Sequence, residues 1–292
     1  MNTTVNLSEL LQRYYDETFL SVAEKTLVFD QFGQKRPLPK YKGILIQFQR
    51  YKKLPLALTP LTEGTNPSEN DLAAENVEAT VKEYGGWLKL TSLVSLTAMD
   101  RGLAGKSKML GIQSGESFDR LISNEAAVNG TEQIVSTKTA VADILPADVL
   151  TMKDIKIGVR NLKNQDAMSF ADKYFALVID PDVEMDLYAD ELFVKVASYQ
   201  DATKVYKGEI GKWFGARVVV TTQPYRTDLT GAFKADGVVH NNCLIGKEAY
   251  GVTELEGARK NIIVKTPGPQ DTSNPLNMYG TCGWYNAFVT KV

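Results

Sequence analysis

The apolar and polar positions near the start of the chain form two alternating runs around a long polar interval. From Gly43 to Leu54, Ile44, Ile46 and Phe48 alternate with Leu45, Gln47 and Gln49, then give way to Arg50, Tyr51, Lys52 and Lys53. A period of two predicts a strand, apolar toward its base and charged toward its tip. The run TVKEYGGWLKLTSLV, Thr80 to Val94, predicts the partner strand, with Lys82 and Glu83 toward the tip and Trp87, Leu88 and Leu90 toward the base. Between them, Pro55 to Asn76 is dense in Pro, Gly, Asn and Ser. Structureless loops of that length are uncommon in compact domains unless function or a partner supports them. A two-stranded ribbon is itself marginal in water without a third layer. The ribbon, and the arm before it that ends at Pro37 and Pro39, are therefore expected to lie on other subunits.

Helical spacing governs two further stretches. Leu7 to Leu27 places Leu10, Leu11, Tyr14, Phe19 and Leu20 about one face, either a surface helix on its own core or an arm that docks on a neighbour. From Ala98 to Val128, Leu103, Leu110, Phe118, Leu121, Ile122 and Ala126 form a stripe, and Asn129-Gly130 predicts the stop through a left-handed closing residue. Gly102, Gly105, Gly111 and Gly115 weaken this long helix, so packing must hold it. A shorter helix is expected at Met152 to Asn161, with Thr151 or Leu150 at its entry.

The chain then turns α/β. KYFALVID (Lys173 to Asp180) predicts a buried strand, Val183 to Ala197 a helix, and RVVVTTQPY (Arg217 to Tyr225) another strand. NCLIGKEAYGVTEL predicts a strand and turn, followed by NIIVKTPG and GWYNAFVTKV as terminal strands. The fold class expected is α+β.

Composition narrows the chemistry. A hydrophobic share of 43% with 23% charged residues suits a soluble globular protein, and 292 residues suffice for a large core. The formal charge of −2 argues against tight, charge-driven duplex binding, which needs a clustered basic surface. Cys243 and Cys282 fit no metal or disulfide framework and are expected as free thiols in a reducing compartment. No secretory signal and no membrane span are expected.

Catalytic residues are not expected, nor cofactors. The single histidine, His240, lies in the polar run VVHNN with no orienting partner evident from sequence. The acidic cluster Asp180, Asp182, Glu184, Asp186, Asp190 and Glu191 is the best metal candidate, but it lacks the spacing and central glycine of a calcium loop. It reads better as Asp180-Pro181-Asp182 ending a strand and opening a helix, whose dipole favours negative charge there. GEIGKWFGAR (Gly208 to Arg217) is not a phosphate loop; its glycines fit a turn into the next strand.

Taken in order, LVFDQFGQKRPLPK, LTPLTEG, TVKEYGGWLKLTSL, FALVIDPD, GEIGKWFGARVV, LIGKEAYGV and NPLNMYGTCGW resemble the major capsid proteins of tailed bacteriophages, in the phage N-four-type branch. Relatives carry GTVGW where this chain has Gly280-Thr281-Cys282-Gly283-Trp284, a change that suits a buried strand. The resemblance implies the Hong Kong 97 capsid fold. Residues 1–40 would form the N-terminal arm and 41–94 the E-loop with its supporting strands. Residues 95–172 would form the P-domain with its spine helix, 173–261 the A-domain, and 262–292 strands returning to the P-domain. It also implies a virion shell protein assembled in the host bacterial cytoplasm. Its partners would be other copies in hexamers and pentamers, a portal protein at one vertex, scaffold and cement or decoration proteins, and packaged double-stranded DNA in non-specific contact. An encapsulin-like nanocompartment is the alternative of the same fold. On this reading Arg50, Lys52, Lys53, Glu63, Glu69, Lys82 and Glu83 make inter-subunit contacts at the E-loop.

Overall fold

The computed structural model describes residues 19, 23, 27–39, 41, 43–60, 63–64, 66, 69–91, 102–135, 138–171, 173–192, 211–228, 238–254, 261–265, 276 and 278–292. The expected helix over Leu7–Leu27 falls almost wholly outside them. Its elements run β1 (Gln34–Lys35), β2 (Leu45–Tyr51), β3 (Ala74–Thr80), β4 (Lys82–Thr91), α1 (Gly102–Asn129), α2 (Met152–Asn164), β5 (Phe175–Ile179), α3 (Pro181–Ala189), β6 (Gly211–Trp213), β7 (Ala216–Val220), β8 (Arg226–Asp228), β9 (Val238–His240), β10 (Cys243–Ile245), β11 (Gly251–Glu254), β12 (Asn261–Lys265) and β13 (Tyr279–Lys291). Among the described residues no helix is long and apolar enough to cross a membrane.

The long helix forms as its stripe dictates. At 28 residues α1 spans about 42 Å. Its buried face carries Leu110, Phe118 and Ile122, interleaved with Ser107, Ser114 and Ser123. This face lies on a five-stranded sheet in which β13 pairs antiparallel with β4, β11 and β12, and β1 adds to β11 in parallel. Alternate residues of β13, namely Cys282, Trp284, Asn286 and Phe288, point into this core. The Phe118 ring meets Trp284 edge-on at 5.5 Å and Phe288 at 4.9 Å. The helix stops at Asn129, but Gly130 keeps a negative φ; the left-handed glycines among the described residues are Gly43, Gly64 and Gly215.

A second sheet, in the order β10-β5-β7-β6, pairs β5 with β7 in parallel. Every residue of β5 is buried, because each of its faces meets a different core. Ala176 and Val178 join the core beneath α1, whereas Phe175, Leu177 and Ile179 pack with Met152, Ile155 and Val159 of α2 and Val183 and Leu187 of α3. Parallel strands covered on both faces read as continuous apolar runs, as FALVI does. Helix α2 starts at Thr151, whose backbone N–H and hydroxyl both donate to the Asp154 carboxylate, at 3.1 and 2.5 Å. The run NCLIGKEAYGVTEL gives two strands in different sheets: β10 pairs with β5, and β11 with β13. In GEIGKWFGAR, Gly215 at positive φ makes the turn between β6 and β7, Gly211 lies in β6, and Gly208 falls outside the described residues. Both cysteines are free, and burial pushes each thiol up to about 11.

Candidate assembly interface

The ribbon exists, but its second strand is Ala74–Thr80, not the expected Thr80–Val94. Strand β2 pairs with β3 from Leu45↔Thr80 to Tyr51↔Ala74, and Lys52 N–H donates to Ala73 O to extend the ladder. Strand β4 begins after the single residue Val81 and leaves the ribbon altogether. It pairs with β13 along its whole length, from Lys82↔Phe288 to Thr91↔Tyr279. A side chain at Gly86 would collide with the Gln113 amide, which here accepts the Trp284 indole N–H at 3.2 Å. Gly85 and Gly86 let β4 lie close against the strand that α1 packs upon: a Cβ at Gly85 would meet the Trp284 carbonyl oxygen at 2.8 Å.

The ribbon's base is anchored. Ile46 and Ala79 are buried, and the Phe48 ring fills the space where Gly251 of β11 has no side chain. Arg36 donates to Gln47 O at 2.8 Å, and Leu38 is buried beside it, so the end of the arm brackets β2. From 49 to 76 every described residue is exposed. Tyr51, Leu54, Leu56, Leu58 and Leu72 are exposed, Leu56 to 73% and Leu58 to 83%. Leu54, Leu56 and Leu58 follow β2 in a segment that turns at Ala57, where Leu58 N–H donates to Leu56 O at 3.1 Å. A second exposed apolar group lies on the outer face of the sheet, where Trp87 and Ile263 flank Gly283. A monomer rarely leaves a contiguous apolar patch uncovered, and such patches mark interaction surfaces.

The residues expected at the interface divide between two places. Arg50, Lys52, Lys53, Glu63 and Glu69 are exposed on the ribbon and its connecting loop. Arg50 faces Glu75 across the ladder, and Lys53 forms an ion pair with Asp166 of the same chain, which holds that carboxyl below its usual range. Lys82 and Glu83 are not at the ribbon tip: they open β4, and Glu83 accepts the Tyr285 hydroxyl at 2.7 Å.

A polar cluster at the end of β5 joins Asp180, Asp182 and His240, weighed separately from the sequence, with Arg226. Asp180, with no exposed surface, is the residue before α3, with Pro181 in its first turn as expected. Its carboxylate does not cap the helix. It takes both arms of Arg226, Nε at 2.7 Å and Nη2 at 2.9 Å, and lies 2.8 Å from His240 Nδ1. Burial opposes ionisation there, but the hydrogen bonds from Arg226 and His240 outweigh it and hold Asp180 below the usual carboxylate range. His240 thus has the orienting partner that its sequence context did not reveal. Asp182 lies 3.9 Å from His240 Nε2. Asp180, Asp182 and His240 are near enough to share a cation, but Arg226 already supplies the positive charge.

No family model and no curated protein matches the sequence. The fold, however, matches solved capsid structures over most of their length. The capsid of cyanophage P-SCSP1u superposes with a TM-score of 0.66 at 14% identity, covering 91% of this chain and 84% of that one. The capsid of Ralstonia phage GP4 gives 0.62 at 14% identity, covering 89% and 82%. A virus-like particle from Pyrococcus furiosus gives 0.52 at 11% identity, covering 97% and 95%. The chain therefore has the α+β, Hong Kong 97-type fold that these phage capsid structures share.

Proposed function

We propose that this chain is the major capsid protein of a tailed, double-stranded DNA bacteriophage, of the phage N-four-type branch. Copies close as hexamers and pentamers into an icosahedral shell, with a portal protein at one vertex and DNA in non-specific contact inside. Scaffold and cement proteins are the further partners. In this reading residues 1–40 are the arm, 41–94 the E-loop and its supporting strands, 95–172 the P-domain, 173–261 the A-domain and 262–292 the returning strands. The protein belongs to the virion and assembles in the host cytoplasm.

The observation that carries the proposal is the ribbon, folded at its base and with every described residue from 49 to 76 exposed. Leu54, Leu56 and Leu58 supply apolar area that only another molecule can bury, at about 25 cal/mol per Å². The charged residues Arg50, Lys52, Lys53, Glu63 and Glu69 set register more than affinity, because exposed ion pairs contribute at most about 1 kcal/mol each. Lys53 would exchange Asp166 for a neighbour's carboxylate. Deleting Thr62 to Asp71 tests this directly. The variant should keep its circular dichroism spectrum yet sediment as small species where the full chain forms large particles. Normal particles from the deletion variant would sink the idea.

An encapsulin-like compartment remains the second reading, supported by the near-complete overlap with the virus-like particle. The contents of purified particles separate the two: nuclease-protected DNA for a capsid, a packaged protein for a compartment.

A further inference from the structure

The chain has one histidine, and the fold places it between two carboxylates at a joint. Strands β8 and β9 form a separate two-stranded ribbon whose terminal pair is Arg226↔His240. Both members of that pair grip the same buried carboxylate, Asp180, at the end of β5. Their partners in sequence lie 46 and 60 residues away, so the contact joins this ribbon to the second sheet. Within the ribbon, Asn241 N–H donates to Tyr225 O at 3.1 Å and Asn241 Nδ2 to the Thr227 hydroxyl at 3.0 Å, and just before β8 Arg120 of α1 donates to Pro224 O.

We infer that Asp180, Asp182, Arg226 and His240 form a proton-operated clamp that fixes the β8–β9 ribbon to the sheet more firmly as pH falls. The charged groups facing the imidazole are Asp180 and Asp182 from the β5–α3 junction and Arg226 from β8. With a neutral imidazole, two carboxylates face one guanidinium and the cluster keeps a net negative charge. Protonating His240 balances it. The Nδ1–H bond to Asp180 becomes charge-assisted, and Nε2–H gains an attraction to Asp182 that a neutral ring lacks. Histidine as a side-chain type changes charge between pH 5 and 8, and His240 is the chain's single one; Asp119 in α1, raised to about 6, also responds in that range but lies outside the cluster. With its carboxylate fully buried and held by two Arg226 hydrogen bonds, Asp180 stays ionised across that window and serves as the fixed anchor. The clamp follows from the fold and does not depend on assembly.

Amide hydrogen exchange on the full chain at pH 5.5 and 7.5, corrected for intrinsic exchange rates, reads the clamp directly. Protection of 226–228 and 238–240 should be at least threefold greater at pH 5.5. H240Q, which keeps a neutral hydrogen-bonding side chain, should abolish the part of that difference that exceeds the change seen in α1, where Asp119 also responds to pH. D182N should reduce it while leaving the Asp180 contacts intact, and this serves as the check if H240Q folds poorly. Equal protection at both pH values in the unaltered chain, or the same rise in H240Q, overturns the inference.

Discussion

Asp119 is a carboxylate with no exposed surface, midway along α1. Its Oδ1 accepts two consecutive backbone N–H groups, from Val28 at 2.9 Å and Phe29 at 2.7 Å, and so pins the end of the N-terminal segment to the long helix. Burial raises its pKa to about 6, against the opposing pull of those N–H groups. A raised folded-state pKa means the folded chain holds the proton more tightly than the unfolded chain. The resulting stabilisation is complete below pH 3.8 and is lost as pH rises to about 6, a swing of about 3 kcal/mol at 1.36 kcal/mol per unit. D119N keeps the acceptor oxygen without the charge. Denaturant unfolding of D119N should therefore lose this dependence between pH 4 and 6 and match or exceed the unaltered chain at pH 7. D119A, which strands both N–H groups, should fall about 1–3 kcal/mol below D119N at every pH. Neither this pin nor the Asp180 cluster was legible in the sequence. Their members are far apart in the chain, and a polar residue in an apolar stripe looks like any other interruption.

At the scale of elements, the pattern of the sequence and the folded result agree where a stripe is long and one-sided. The face of α1 was readable because Leu110, Phe118 and Ile122 recur with helical spacing, and FALVI because it is apolar throughout. The ribbon's partner strand was misread for a physical reason. AENVEAT offers only Val77 and Ala79 to its inner face, a weaker signal than YGGWLKL, whose apolar residues serve the β13 sheet instead. Two predictions separate these roles. Phe118→Ala opens a cavity against Trp284 and Phe288 and should cost about 3–5 kcal/mol in the dissociated subunit, whereas Trp87→Ala, 67% exposed, should change it by about 0.5 kcal/mol or less. Gly251→Val should displace Phe48, costing about 1–3 kcal/mol and raising amide exchange in 45–51 while α1 keeps its protection. Unchanged exchange in β2 would mean that Phe48 does not anchor the ribbon.

For the whole molecule, the sequence was more informative as an ordered set of short runs than as composition. A charge of −2 and 43% hydrophobic residues describe many soluble proteins, but runs spaced along most of the chain implied one architecture, and the solved capsids share it. On the proposed function, the exposed ribbon residues are covered by neighbouring copies, with each contact repeated by symmetry. Negative-stain electron microscopy of the purified full chain at increasing concentration is the most direct test. Closed shells, tubes or six-fold rings are the expected result. Small particles of one fixed size at every concentration would contradict the assembly role.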